Sequence, residues 1–511
     1  MPDSEWRAPG AGEWIRLADH FDRPWTAEYE RLFRPAFLEG AAPYLHHYGM
    51  PVRMIDVRTV HGYPYLHPVP LVGPDSSRGA PAALVWLLAR VVPAMRRCER
   101  DAARTLKERP WRARAARWWS EDRPRALAAN RALTAVDPTA LDDHELARHL
   151  EACERLAADG YRLHFELHGT DMFPIGLFLD ACRRWGIDIG AALDLVVDVP
   201  PEPDVVRLGP DELAQCIIAG YDIDRPRLCE LPRVVDGIAA TSEGESSSTP
   251  PTRLADIVPA AHREEFATLL ADARTVFPVR DDNGVIVGAW RVGLLRRAYL
   301  AAGGRLAVAG TIDRVELALE SVVPELIELL DGDGDPSRIA VTLNERALER
   351  ERWLESDPPL RLGSASDPPF HALPPATRTI AGAQFVLRDL IERSIAPELE
   401  GFGVGATAAE GTARVVSNAD DAITRLEEGD VLVVRATSPA FNAVLPLAGA
   451  LVTEHGGALS HAAIAARELG TPAVVGVHDA TRKIHDGDRV RVDPAVGRVT
   501  LIDQRRVVRA G

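Results

Sequence analysis

The stretch Leu451–Gly476, LVTEHGGALSHAAIAARELGTPAVVG, limits what this chain can fold into more than any other. It begins in an apolar run, Ala448 to Thr453, that reads as a buried strand. The run breaks at Gly456 and Gly457, which suit a tight turn close to a ligand. Ser460 stands where a helix N-cap belongs, and His461 follows in the first helical turn. Ala462 to Leu469 is an alanine-rich helix, Gly470 is its left-handed stop, and Pro472 to Val475 opens another apolar strand. The predicted order is strand, glycine turn, helix, strand, with a histidine at a helix N-terminus.

That placement carries chemistry. The first turn of a helix has unpaired N–H groups and the positive end of the dipole, and it binds phosphate readily. A histidine there has its cationic form disfavoured and stays a neutral nucleophile. A lone histidine at a helix start is equally compatible with a capping-region residue that has no chemistry. The longer motif says more. TEHGGALSHAAIAARELGTPAVVG resembles the signature of the phosphohistidine swivelling domain of the PEP-utilising enzymes. It matches at Thr453, Gly456, Gly457, Ser460, His461, Ala462, Ala463, Ala466, Arg467, Gly470, Pro472, Ala473 and Gly476. The resemblance implies that His461 is the phosphoryl carrier, with Thr453, Gly456, Gly457, Ser460 and Arg467 supporting the loop or the phosphoryl group. His455 is the competing histidine, at a position that reads as variable loop. Leu459 stands where pyruvate phosphate dikinases have a regulated threonine, which argues against that kind of regulation.

Composition narrows the rest. The 511 residues, 46% hydrophobic, suffice for two or three domains with cores. A net charge of −16, from 75 acidic against 59 basic residues, makes the chain a poor general binder of nucleic acid or anionic membrane. No apolar run approaches the ~20 residues of a membrane span, and the N-terminus MPDSEWRAPGAGEW has no signal-peptide core. Cys98, Cys153, Cys182, Cys216 and Cys229 are scattered without a CxxC, as in a reducing cytosol. A cytoplasmic location is expected, and no metal site.

Residues 1–355 read as a mostly helical, substrate-binding domain. WTAEYERLFRPAFLEGAAPYL is amphipathic, and VHGYPYLHPVPLVGP is an ordered loop or short strand pair in which His61, Tyr63 and His67 either line a pocket or pack the prolines. Residues 82–133 are helical and arginine-dense, a pattern that fits a solvated face as well as a partner or nucleotide surface. In HELARHLEACERLAADGYRLHFELHG, His164 and His168 share one helix face, with Asp171 just beyond. They fit a substrate pocket with a general base, a metal pair lacking an obvious third ligand, or plain structure. SEGESSSTPPT predicts a mobile loop at about 242–252. Arg280, Asp281, Asp282 and Asn283 precede Gly284 and a strand-like run, so they read either as a turn or as a site orienting a phosphoryl acceptor. DGDGDPS has Pro336 and Thr342 where a calcium loop needs glycine and glutamate, so calcium is rejected there. Residues 356–400 read as a proline-rich connector. Residues 401–505, with β-branched runs between glycine turns and a closing hairpin, read as the β/β/α swivelling domain.

The 511 residues show no ATP-grasp segment, no P-loop and no PEP-binding barrel. The front region's position ahead of the swivelling domain resembles the acceptor domain of rifampin phosphotransferases. The division of parts resembles phenylphosphate synthases, whose carrier and ATP-binding parts lie on separate chains. The resemblance thus implies a phosphotransferase component. His461 would receive a phosphoryl group from ATP and Mg²⁺ held by a separate ATP-grasp protein. It would pass that group to a hydroxyl or enol of a small organic acceptor, activating it for dehydration. Front-domain candidates are His168, His164 or Asp281 as acceptor base, and Arg280, Asn283 and His61 in the substrate pocket. The alternative is a non-catalytic phosphocarrier or regulatory protein that binds a partner.

Overall fold

The computed structural model describes residues 6–17, 21, 23–72, 81–187, 189–197, 218, 222–227, 258–332, 335–354, 356, 358–364, 370–392, 399–437, 441–442, 444–457 and 460–503. The front part runs β1 (Glu13–Arg16), α1 (Ala27–His47), β2 (Val52–Val60), β3 (Tyr63–Pro70), α2 (Ala82–Val91), α3 (Pro93–Glu108), α4 (Trp111–Arg117), α5 (Arg123–Thr134), α6 (Asp143–Asp171), α7 (Phe173–Arg184) and α8 (Ile189–Val197). It continues through α9 (Arg263–Asp282), α10 (Trp290–Val308), α11 (Val323–Asp331), α12 (Pro336–Leu354), β4 (Arg361–Gly363) and α13 (Pro375–Glu392). The C-terminal part follows as β5 (Phe402–Val404), β6 (Ala409–Val415), α14 (Ala419–Arg425), β7 (Val431–Val434), β8 (Ala450–Thr453), α15 (His461–Leu469), β9 (Ala473–Val475), α16 (Ala480–Lys483), β10 (Arg489–Asp493) and β11 (Arg498–Asp503).

The front part is helical around α1 and α6. Aromatic rings fill the seam: Phe33 and Phe37 meet Phe165, and Tyr29 meets Tyr161. Gly40 lets the two backbones close up, because a Cβ there would lie 2.3 Å from the Arg162 carbonyl oxygen. Two capped starts fix the long helices. Thr26 accepts from the Tyr29 amide, and Asp142 and Glu145 form a reciprocal capping box. A small antiparallel sheet of order β2-β3-β1-β4 closes one side over Trp14, Tyr63, Tyr65, Trp353 and Leu362.

Three readings of the sequence differ from this fold. VHGYPYLHPVPLVGP is half of a long β2–β3 hairpin that turns at His61 and Gly62. The Asp-Asn-Gly after Arg280 makes no turn: a π-helical segment, Asn283–Ala289, joins α9 to α10 without a break. Within the stretch read as a connector, β4 pairs with β1, and α13 packs against α7 and α3. The loop predicted at about 242–252 lies outside the described residues.

The C-terminal part is a seven-stranded mixed sheet of order β11-β10-β6-β7-β8-β9-β5, with β6 to β9 parallel to one another. Both faces are covered, so its strands read as unbroken apolar runs. Val431 and Val433 face one core while Leu432 and Val434 face the other. β10 and β11 form the expected closing hairpin. Among the described residues, no helix is long and apolar enough to cross a membrane.

A candidate phosphoryl-carrier histidine and a front-domain histidine cluster

His461 opens α15 at the end of the sheet where the parallel strands terminate, the end at which open α/β sheets bind ligands. Each predicted loop residue has a local task. Ser460 caps the helix: its Oγ accepts from the Ala463 amide at 3.3 Å and donates to the Gly457 carbonyl at 2.9 Å. Gly456 sits at φ +117°, and a Cβ on it would meet the Ser460 Oγ at 2.7 Å, so only glycine fits. Thr453, at the end of β8, donates to the His455 carbonyl at 2.8 Å. The His455 amide donates to the Arg435 carbonyl at 2.7 Å, which ties this loop to the one after β7. Arg467 donates to the Ala463 carbonyl at 3.2 Å and lies 5.6 Å from the Phe402 ring, so these contacts brace the helix against β5. Leu459 lies outside the described residues.

Thr437, which the sequence reading did not single out, completes the arrangement. It is buried just past β7, and its Oγ1 lies 2.9 Å from His461 Nδ1. In the tautomer whose Nδ1–H donates to that hydroxyl, the lone pair sits on Nε2. The signal for it was a polar residue just past a predicted strand, in Arg435-Ala436-Thr437-Ser438-Pro439.

In the front part, three of the predicted residues meet. His164 Nδ1 lies 3.0 Å from Asn283 Oδ1, and His168 Nδ1 lies 3.3 Å from Asp171 Oδ1. The Asn283 amide donates to Asp171 Oδ2 at 2.8 Å and to the His164 carbonyl at 3.1 Å. The two imidazoles are 4.4 Å apart, edge to face. Asp171 and Asn283 are buried, while both histidines are half-buried. Burial and the charge of Asp171 push the Tyr44 phenol well above its ordinary range. Because an amide oxygen and a carboxylate take the two Nδ1–H groups, both rings carry their lone pairs on Nε2. The π-helical segment brings Asn283 into this network, and such segments cluster at functional sites.

The other predicted residues lie apart. His61 holds a left-handed φ of 53° in the β2–β3 turn and stacks on Trp353 at 3.6 Å, a structural contact. Arg280 is half-buried at the end of α9, and the Asp281 side chain lies outside the described residues. Contacts between the two parts run through Arg23, Arg225 and Asp420 and through Phe402, which touches both cores. His164 and His168 take no part in these contacts among the described residues.

The C-terminal part is thus a two-faced, partly parallel sheet that presents a histidine in the first turn of a helix, just past its Ser460 cap, from a glycine-rich strand-to-helix loop. Residues 426–497 match the family model "PEP-utilising enzyme, mobile domain". Relatives extend beyond it to different degrees. Chondramide synthase cmdD of Chondromyces crocatus is 25% identical over 563 aligned positions, covering 96% of this chain and 14% of that protein. An uncharacterized phosphotransferase of Bacillus subtilis, YvkC, is 30% identical over 229 residues, covering 44% of this chain and 26% of that protein. A rifampicin phosphotransferase of Streptomyces is 42% identical over 135 residues, covering 26% of this chain and 15% of that protein. The matched regions are therefore about a quarter or less of these relatives' own lengths.

Proposed function

We propose that this chain is a phosphotransferase component that carries a phosphoryl group on His461 Nε2 and delivers it to a hydroxyl or enol in the front part. The observation that carries the reading is a first-turn histidine whose Nδ1 lies against Thr437, at the N-terminal, dipole-positive end of α15. In loading, the Nε2 lone pair attacks the donor phosphorus, an N–P bond forms, and the donor P–O bond breaks with its electrons left on the departing oxygen. In delivery, an acceptor oxygen attacks the same phosphorus, and the N–P electrons return to Nε2. Such transfers depend on in-line positioning and charge stabilisation more than on further covalent help. The donor in this reading is ATP with Mg²⁺, bound by a separate ATP-grasp protein rather than by this chain.

The acceptor's proton goes to His168 Nε2. Its Nδ1–H faces Asp171, which orients the ring and stabilises the cation formed. His164, held by Asn283, lines the same face. Phosphorylating a hydroxyl turns it into a leaving group, so the outcome is activation for dehydration. The alignment that runs through the front part is with a synthase, which supports a biosynthetic acceptor.

The test is intact mass after incubation with ATP and Mg²⁺, alone and with a candidate ATP-grasp protein, with His461→Ala as control. Acid-labile phosphorylation only with the partner, and lost in the variant, is expected. Labelling that survives His461→Ala, or none from ATP or PEP, overturns the carrier role. His168→Gln should leave loading intact and slow delivery. A variant that delivers at the normal rate removes His168 from the mechanism.

A further inference from the structure

A cluster of arginines, with Arg225 buried and Arg23 and Arg350 partly so, lies where the mobile domain meets the front part. Arg23, just ahead of α1, bonds Asp224 at 3.0 Å, and its other amino group meets Asp420 of the mobile domain. Arg350, on α12, bonds Asp224 at 2.7 Å and Glu320 at 2.5 Å. The Arg225 side chain is 4% exposed and lies 3.9 Å from Asp420. Asp222 takes the Thr26 amide at 2.7 Å and the Thr26 hydroxyl at 2.6 Å. Burial and the neighbouring Asp224 charge favour the protonated form of Asp222.

Among the described residues, Arg23 and Arg350 share Asp224, Arg350 also pairs with Glu320, and Arg225 pairs across the boundary with Asp420. Burial lowers the Arg225 pKa to about 10, and Asp420 is the carboxylate that works against that shift. A desolvated cation attracts an anion far more strongly than a solvated one does. On the same side, Arg435 of the mobile domain lies near enough to the buried Tyr63 phenol to oppose the effect of burial on it. Arg435 belongs to the loop that holds Thr437.

We infer that Asp420 is the docking residue of the mobile domain: its carboxylate enters a socket formed by Arg23 and Arg225 and holds the strand-end face of that domain against the front part. Asp420 is itself half-exposed at 47%, so the contact can release into water without stranding a buried carboxylate. It is a positioning residue, and the inference stands independently of whether His461 carries a phosphoryl group.

The test is hydrogen exchange by mass spectrometry on the full chain, unphosphorylated, comparing wild type, Asp420→Asn and Asp420→Glu. In Asp420→Asn, front-part peptides holding residues 23–28 and 222–227 should exchange about fivefold faster or more. Peptides of α15 should keep their protection, which shows the mobile domain still folded. Asp420→Glu should restore most of the front-part protection. Raising salt should speed front-part exchange in wild type and leave Asp420→Asn nearly unchanged, since a half-exposed pair is screened. Front-part exchange in Asp420→Asn equal to wild type overturns the inference. So does equal loss in Asp420→Glu, because a merely structural defect would not be rescued by the charge.

Discussion

Thr437→Val is the sharpest probe of the carrier site. Valine matches threonine in shape, so at this site of 1% exposure the fold should lose about what one hydrogen bond contributes, roughly 0.5–1.5 kcal/mol. What disappears is the hydroxyl 2.9 Å from His461 Nδ1. In the resting enzyme that is a hydrogen bond between neutral groups. As Nε2 bonds to phosphorus the ring becomes cationic, and the bond becomes charge-assisted, worth about 1.5–3 kcal/mol. Because the larger value applies only as the N–P bond forms, the excess over the resting bond falls on the rate rather than on stability. The rate loses the difference between the two, about 1–1.5 kcal/mol, so at about 1.4 kcal/mol per decade loading should slow about 5- to 12-fold. Phosphoramidate, which phosphorylates imidazoles directly, makes the assay independent of the natural donor. The readout is the initial rate of acid-labile phosphate on the peptide that contains His461, with His461→Ala as blank. Thr437→Ser, which keeps the hydroxyl, should stay within about twofold of wild type. A Thr437→Val rate equal to wild type would refute the tautomer argument, and loss of rate in Thr437→Ser would show that packing is the cause.

Other expectations follow from single residues. Gly456→Ala forces an L-residue to φ +117° and drives a Cβ into the Ser460 cap. Strain of about 1–3 kcal/mol and loss of a cap worth about 1 kcal/mol should together lower mobile-domain stability by roughly 2–4 kcal/mol in urea melts. Gly40→Ala separates α1 from α6 through a contact at 2.3 Å, and overpacking of that kind should cost the front part about 1–3 kcal/mol by the same measurement. Asp222, which faces Thr26, Asp224 and Arg350, is pushed up to about 7 by burial first and Asp224 second. Its folded form therefore keeps a proton that the unfolded chain gives up. The stability it lends is present below the ordinary carboxylate range and fades as pH rises towards 7. Thermal melts from pH 4 to 7 should show Asp222→Asn gaining on wild type as pH rises, and parallel curves would show that the carboxyl titrates normally.

The carrier loop was legible because local rules decide it. Ser460 caps, Gly470 stops the helix at φ 67°, and Gly456 takes a conformation closed to other residues. None of these depends on a distant partner. The segment around Asn283 failed for the opposite reason. Asn-Gly before Val-Ile-Val is a good turn-and-strand pattern, yet Val287 and Ile286 are buried among helices and Asn283 is bonded to Asp171 and His164. Tertiary contacts overrode the local preference, and a short apolar run cannot by itself tell strand from buried helix. Pro374 and Pro375 suggested a linker, but proline also suits the first turn of a helix, and there α13 begins. The Arg23, Asp224, Arg350 and Asp420 network joins four distant stretches of chain, and no sequence period marks it.

The partners chosen for the histidines separate their roles. His461, His164 and His168 all have Nδ1 engaged, and in the tautomer that donates from Nδ1 the lone pair is on Nε2. His168 faces a carboxylate, that of Asp171, whereas His461 Nδ1 meets a hydroxyl and His164 Nδ1 an amide oxygen. A carboxylate beside an imidazole stabilises its cation, which is what a proton acceptor requires in the transition state. The same carboxylate beside the carrier would repel an incoming phosphoryl dianion and hold the ring protonated, without a lone pair to attack with. A neutral hydroxyl avoids both effects while still able to accept from Nδ1–H as the ring becomes cationic, and Thr437 supplies it. Thr437→Asp should therefore impair loading more than Thr437→Val, although aspartate retains an acceptor for Nδ1–H. If the two variants load equally, charge beside the carrier is immaterial and the separation of roles by partner fails.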